Sequence, residues 1–504
     1  MPGFKDAGKF TPASVKLDSE IAQRGGIDYD NMLAVKHPNY RLRKPGQENT
    51  RLDVSAGDIT PIKAMPKPLA RINLATPDTA LMGIEAEFFV INSAGHPVTM
   101  YGADSVQEIS EGNKKIVVVN HQGQPWDLDQ IPGLTPEGLN SQVEIATSPH
   151  NSFEDLQKNL TQTLVPIATA FQAKGWLMLP TGLSGLPLKS DISNIPPHEY
   201  MVSIHTHGLK RTALTFDAQT VQSHVDQSGF GSSIEFSLAL GNSYNAVLST
   251  MINALSLSAP FWKGRSDSLL SHRESSRNQI STRGGVQDNI PVDALSFLHR
   301  GHLRVTAGEI PVPERAGGGK SNGSHNDYRP KLSTGTAEFG SSDSNPNPEL
   351  WVAQTVVLRR FTEIVAQLVR DETGHLPSFL EMESFDVRKA NRLAAAKNGV
   401  DAVISTKAGL LTIRQAWNNF FSWAKPKHSS PDWDRSVDVI KRTLAQNAKN
   451  VQDYFNPNSP NHLHGSVAVA MLRQYEQLSG PETDRIAQVN VMVASGFMGL
   501  IDRL

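Results

Sequence analysis

Glu85 and Glu87 stand two residues apart in the run Gly83-Ile-Glu-Ala-Glu-Phe-Phe-Val-Ile91, where a strand period of two puts both carboxylates on one face. Two like charges so placed repel and raise one pKa; a divalent cation makes the pair favourable, and hard cations take carboxylate oxygen. Read alone, this pair is better explained as an exposed polar strand face. Three later segments add to it: Gln142-Val-Glu144-Ile145, Ser223-His224-Val-Asp226 and Gly335-Thr-Ala-Glu338-Phe339. Each sets a glutamate or histidine where a strand could aim it at a shared point. Glu85, Glu87, Glu144 and Glu338 are therefore the candidate ligands of Mg2+ or Mn2+. His224 is a candidate metal ligand or a partner for a phosphate oxygen, against the ordinary reading of a structural histidine in a core strand.

The composition narrows the setting. The 504 residues are 38% hydrophobic, enough for two or three compact domains, and the 48 Lys and Arg against 50 Asp and Glu give a formal charge of −2. That balance lacks the basic excess of a nucleic-acid binder. The absence of cysteine excludes disulfides, thiolate nucleophiles and cysteine-ligated zinc or iron-sulfur centres, so any metal must sit on oxygen or imidazole. The opening residues have no apolar core of signal-peptide length, and no later stretch reaches the roughly 18 apolar residues of a membrane helix. A cytoplasmic enzyme acting on small molecules is expected, with neither a nucleic-acid nor a membrane partner, and a homo-oligomer is left open.

Elements must hold these groups. Residues 1–80 are polar and punctuated by Pro45, Pro61, Pro66 and Pro68, which reads as an extension. Residues 81–370 carry the acidic segments, and 371–504 read as a mostly helical C-terminal part packed on them. Phe153, Leu156, Leu160, Leu164, Ile167 and Phe171 follow a 3.6 spacing, with Ser152 as N-cap and Gly175 beyond the end. Pro166 within that pattern predicts a kink or a break into two helices. Helices are also expected over Pro348 to Arg370, Asp386 to Lys397, Leu410 to Trp423 and Val437 to Phe455, and a buried C-terminal one over Val489 to Ile501. Residues 307–326 are too glycine-rich for a fixed core element and read as a mobile loop beside Glu338. Gly319-Lys320-Ser321 has the ending of a phosphate loop, but Glu314 stands where its first glycine is required.

Read together and in order, the segments resemble the bacterial carboxylate-amine ligases of the glutamate-cysteine ligase type 2 family, over roughly residues 81 to 405. Gly83 to Phe88 is similar to the family's opening strand, Gln142 to Thr147 to its second acidic strand, and Ser223 to Ser228 to its histidine strand. Leu255 to Ser268 followed by Ser271-His272-Arg273 is similar to its Ser-Pro-Phe helix and serine-x-arginine turn. Asp327-Tyr328-Arg329-Pro330 before Gly335 to Phe339, and Asn391-Arg392 before Asn398-Gly399, match two further signatures.

The resemblance implies an α+β fold related to glutamine synthetase and the guanidino kinases: a curved, largely antiparallel sheet backed by helices, whose concave face holds ATP, metal and substrate. The implied reaction moves the γ-phosphoryl of ATP to a substrate carboxylate, and an amine then attacks the acyl phosphate to leave an amide. A rigid cluster of carboxylates suits that chemistry, because phosphoryl transfer needs charge neutralised and groups held in line. Arg273, Arg329 and His224 are the catalytic candidates, the two arginines as clamps on phosphate or substrate carboxylate, since the planar fork binds oxyanions bidentately. A structural ion pair is the competing reading for both. Arg329 and Lys320 are the candidate nucleotide-binding cations.

Two positions depart from the family. An arginine is expected two residues after Glu338, and Gly340 stands there, so Lys320, Arg329 or Arg273 must supply that charge or the protein is slow, altered or non-catalytic. Asp226 stands where many relatives carry histidine or asparagine. An ATP-dependent ligase joining glutamate or a similar amino acid to an amine is the leading expectation; a phosphotransferase of the same fold and an ATP-binding regulatory homologue are the alternatives. His205 with His207, and His462 with His464, have strand-face spacing for zinc, but no third ligand is evident and loop histidines are expected.

Overall fold

The structure, a computed structural model, describes residues 80–98, 134–136, 141–186, 218–227, 234–267, 269–277, 327–331, 336–370, 375–426, 428, 430–445 and 448–503. The extension at 1–79, the glycine-rich segment with Lys320, and His205 with His207 lie outside the described residues.

Eleven strands are described: β1 (Met82–Asn92), β2 (Leu134–Pro136), β3 (Gln142–Ala146), β4 (Trp176–Leu179), β5 (Thr220–Asp226), β6 (Phe261–Trp262), β7 (Arg265–Ser266), β8 (Tyr328–Lys331), β9 (Thr336–Asp343), β10 (Val403–Thr406) and β11 (Gly409–Thr412). Seven of them form one sheet in the order β2-β3-β1-β5-β9-β8, with β4 paired to the second half of β1. All the pairings are antiparallel. β1 shows why the chain builds it: Met82, Ile84, Ala86 and Phe88 are buried while Gly83, Glu85 and Glu87 between them are half-buried. That alternation gives the sheet one apolar and one acidic face.

The apolar face rests on the helix Pro348–Arg370. Trp351 meets Phe88 with ring centroids 5.9 Å apart, and Phe497 of the helix Glu482–Ile501 closes the group at 5.8 Å from Phe88 and 6.0 Å from Trp351. Such aromatic pairs add about 0.5–1.5 kcal/mol each beyond their buried area. One apolar cluster therefore runs from β1 to the C-terminal helix, across residue 370. Among the described residues no helix is long and apolar enough to cross a membrane.

The helix Phe153–Gln172 starts at Ser152, whose hydroxyl accepts from the Asp155 N–H at 3.1 Å. It runs through Pro166 undivided, contrary to the expected break. Pro166 and Gln162 lie on the exposed side, so the Gln162 carbonyl that the proline leaves without its donor faces water, and the buried stripe is continuous. The expected helix from Leu410 begins instead at Ile413. Gly409, at φ 104°, turns the β10–β11 hairpin, and a capping box between Thr412 and Gln415 sets the helix start. The expected helix Val437 to Phe455 is two, Pro431–Ala445 and Val451–Phe455, because Asn450 caps the second by accepting from the Asp453 N–H at 2.8 Å.

Candidate active site

Strand register assembles the acidic face. Glu87 stands opposite Glu144, Glu85 opposite Gln222, Gly83 opposite His224, His224 opposite Glu338, and Glu338 opposite Arg329. Directly opposed residues of antiparallel strands share a face, so β3, β1, β5, β9 and β8 present Glu144, Glu87, Glu85, Gln222, His224, Glu338 and Arg329 on one side of the sheet.

Three of these converge. Glu85, His224 and Glu338 each place a ligand atom within 4.8 Å of the other two. Metal-oxygen bonds of roughly 2.0–2.6 Å separate ligands on opposite sides of a cation by about 4–5 Å, so the group fits one divalent ion. His224 Nε2 lies 3.1 Å from Glu85 Oε2 without the alignment of a hydrogen bond. A neutral imidazole nitrogen and a carboxylate meeting in this way suit a cation between them. At the rim, Arg329 Nη2 donates to Glu338 Oε1. Burial works against the Arg329 charge, but Glu338, Glu85 and Glu144 outweigh it and raise its pKa. The guanidinium thus sits in the field of three carboxylates.

Glu87 and Glu144 share the face without joining that three-atom group. The Glu87 carboxylate accepts from the Thr220 backbone N–H at 2.8 Å and from Gln222 Nε2 at 3.1 Å. These donors offset the repulsion between Glu87 and Glu144 across the β1–β3 ladder.

Arg273 stands elsewhere. Its Nη1 lies 2.9 Å from Glu274 and 3.1 Å from Asp343, while Nη2 donates to the Gly340 carbonyl at 3.3 Å. Arg392 pairs with Asp327 and approaches Glu274 at 3.4 Å. All five side chains are buried, so three carboxylates face two arginines. The excess is carried by Asp343, pushed up to about 6 mainly by burial, with Arg273 pulling the other way and Glu274 adding to the rise.

That shift makes stability depend on pH with a definite sign. The folded protein holds a proton on Asp343 that the unfolded chain, at about 3.8, releases; the contribution is fully present below about 3.8 and lost as pH rises through about 6. Urea unfolding of the wild type and of Asp343→Asn across this window should show the wild type losing stability relative to the variant as pH rises. A constant difference between them would refute the assignment.

β9 carries a bulge between these two groups. The β5–β9 register shifts between Ser223, opposite Phe339, and Val221, opposite Ser342, so Gly340 and Ser341 together oppose Gln222. Ser341 is fixed on the helix side, where Asn253 Nδ2 donates to its carbonyl at 2.8 Å and Tyr244 meets its hydroxyl. Tyr244 opens a π-helical turn, Tyr244–Leu248, between the helices Ile234–Ser243 and Ser249–Ser256.

His462 and His464 lie in a loop where Leu463 takes φ 53°, so they do not share a strand face. Burial lowers both pKa values, and Arg442 adds to the effect, with Arg503 doing so at His462. Sequence reasoning singled out neither Gln222 nor Thr220. Their signal was the strand period, which puts both on the side of His224.

The fold has counterparts among solved structures. A bifunctional glutathione synthetase from Pasteurella multocida superimposes with a TM-score of 0.52 at 13% identity, over 84% of this chain and 52% of that one. The chain thus spans about half the length of that enzyme, and the likeness is one of fold. A glutamate–cysteine ligase from Francisella tularensis, solved in complex with AMP, gives a TM-score of 0.49 at 13% identity, over 84% of this chain and 91% of that one. No curated protein matches the sequence at a significant level. The profile of glutamate-cysteine ligase family 2 (GCS2) matches residues 81–462, and the chain belongs to that family.

Proposed function

We propose that this protein is an ATP-dependent carboxylate-amine ligase. A carboxylate of glutamate or a similar amino acid takes the γ-phosphoryl group of ATP, giving an acyl phosphate and ADP. An amine then attacks the carbonyl carbon, the carbon–oxygen bond to phosphate breaks, and an amide and inorganic phosphate result. The observation that carries this reading is the convergence of Glu85, His224 and Glu338 within 4.8 Å beside Arg329, in a GCS2 chain.

A divalent cation bound there would offset charge on the phosphate oxygens during transfer. Glu85 and Glu338 provide its anionic oxygens and His224 a neutral nitrogen. Arg329 fixes Glu338 through Nη2, while its Nε, buried and without a hydrogen-bond partner among the described residues, has a donor to offer a substrate carboxylate or phosphate. The Thr220 N–H and Gln222 hold Glu87 in one orientation, which spares the site that reorganisation when charge moves.

A second reading, an ATP-binding homologue with weakened turnover, is favoured by Gly340. Arg273 is the cation that reaches its carbonyl, and Arg273 is already engaged by Glu274 and Asp343. A screen of amino acid pairs with ATP and Mg2+ or Mn2+ separates the readings by ADP release. The ligase requires release that depends on both a carboxylate and an amine. Release without an amine identifies a phosphotransferase. ATP binding with no release from any pair, and turnover gained in Gly340→Arg, establishes the weakened homologue.

A further inference from the structure

Gln222 lies opposite Glu85 and two residues before His224 on the same strand, and it is only 8% exposed. Its Nε2 donates to Glu87 Oε1 at 3.1 Å. A carboxylate only accepts, so this bond settles which end of the amide is nitrogen and leaves Oε1 as the other end. Oε1 is buried and, among the described residues, has no hydrogen-bond partner. Leaving a buried acceptor unpaired is unfavourable, and its surroundings on the acidic face are mostly other acceptors: Glu85, Glu87 and Glu338. Arg329 is engaged by Glu338, and Arg273, which reaches the Gly340 carbonyl, by Glu274 and Asp343. An oxygen lone pair set among anions lacks one kind of partner, a positive ion.

We propose that Gln222 is a metal-binding residue. Its Oε1 supplies a neutral oxygen to the divalent cation held by Glu85, His224 and Glu338, and its Nε2 at the same time fixes Glu87. Amide carbonyls are ordinary ligands of hard cations, and the number of charged ligands tunes affinity. With Gln222 as the fourth group, two carboxylates match the charge of a divalent ion. A third carboxylate at this position would bind it more tightly. The inference rests on the metal-site reading of the proposed function.

The test is Mn2+ titration of the full chain without nucleotide, followed by electron paramagnetic resonance and calorimetry, for wild type, Gln222→Met and Gln222→Glu. Methionine keeps the volume and removes both polar ends, so the fold is preserved while Mn2+ affinity should fall by about 10-fold or more. Glutamate keeps an oxygen and adds charge but loses the donor to Glu87, and its affinity should equal or exceed that of wild type. Equal losses in the two variants would mean that Gln222 acts only by holding Glu87, and would overturn the proposal. Wild-type affinity in Gln222→Met would overturn it as well, with the metal site left standing. A wild-type protein that binds no Mn2+ would overturn the metal-site reading and this inference together.

Discussion

Glu85→Gln is expected to lower Mn2+ affinity and nucleotide turnover by about 100-fold or more while the protein folds normally. Loss of a group that merely orients a ligand costs about 10–100-fold in metal affinity, and Glu85 is assigned as a ligand itself, one of three whose donor atoms lie within 4.8 Å. Gln keeps the shape and one oxygen but removes the charge that attracts the ion. Without metal, stability should hold or rise slightly, because Glu85 shares its face with Glu87, Glu144 and Glu338 and the change relieves repulsion among them. Calorimetry with Mn2+ and thermal unfolding of the apoprotein measure the two halves separately. Unchanged metal affinity would end the ligand assignment; an apoprotein that unfolds would make Glu85 structural instead.

Arg392→Met should act on folding. Arg392 is fully buried between Asp327 and Glu274, and removing it takes away the Asp327 ion pair and one of the two arginines beside Glu274, the other being Arg273. Breaking one side of a buried ion pair costs about 3–5 kcal/mol, a large part of the roughly 5–15 kcal/mol that holds a domain together. Urea unfolding should therefore show a loss in that range. The double variant Arg392→Met with Asp327→Asn should recover part of it, since the second change removes a charge the first stranded. A loss under about 1 kcal/mol would show that water reaches the group and screens its charge.

Much of the acidic face was legible because a strand enforces a period of two. Glu85 and Glu87 follow from β1 alone, and Ser223-His224-Val-Asp226 and Gly335 to Phe339 carry the same alternation on β5 and β9. Which carboxylates converge was not legible, since this depends on pairing register: Glu87 opposes Glu144, whereas Glu338 opposes His224. Arg273 could be picked out, but its surroundings could not. Glu274 is its neighbour in the chain, but Asp343 becomes its partner only when β9 meets the helix His272–Arg277. The helix errors have local causes. Leu410 and Leu411 extend an apolar helical pattern, and the pattern cannot show that Gly409 and Thr412 have claimed them for a hairpin.

The bulge on β9 sets the phase of everything beyond it. Asp343 follows Glu338 by five positions, an odd interval that would put them on opposite faces of a regular strand. The extra residue at Gly340–Ser341 makes the count even, so that Asp343 stands opposite Thr220, on the side to which His224 and Glu338 belong. Arg273 can therefore hold Asp343 and the Gly340 carbonyl at once. The bulge absorbs one residue without passing the offset on: with Ser341 taken out, Asp343 would follow Glu338 by four positions and still stand opposite Thr220 in a regular ladder. A single deletion there would leave the interior charge cluster in place and remove only the contacts of Ser341 with Tyr244 and Asn253.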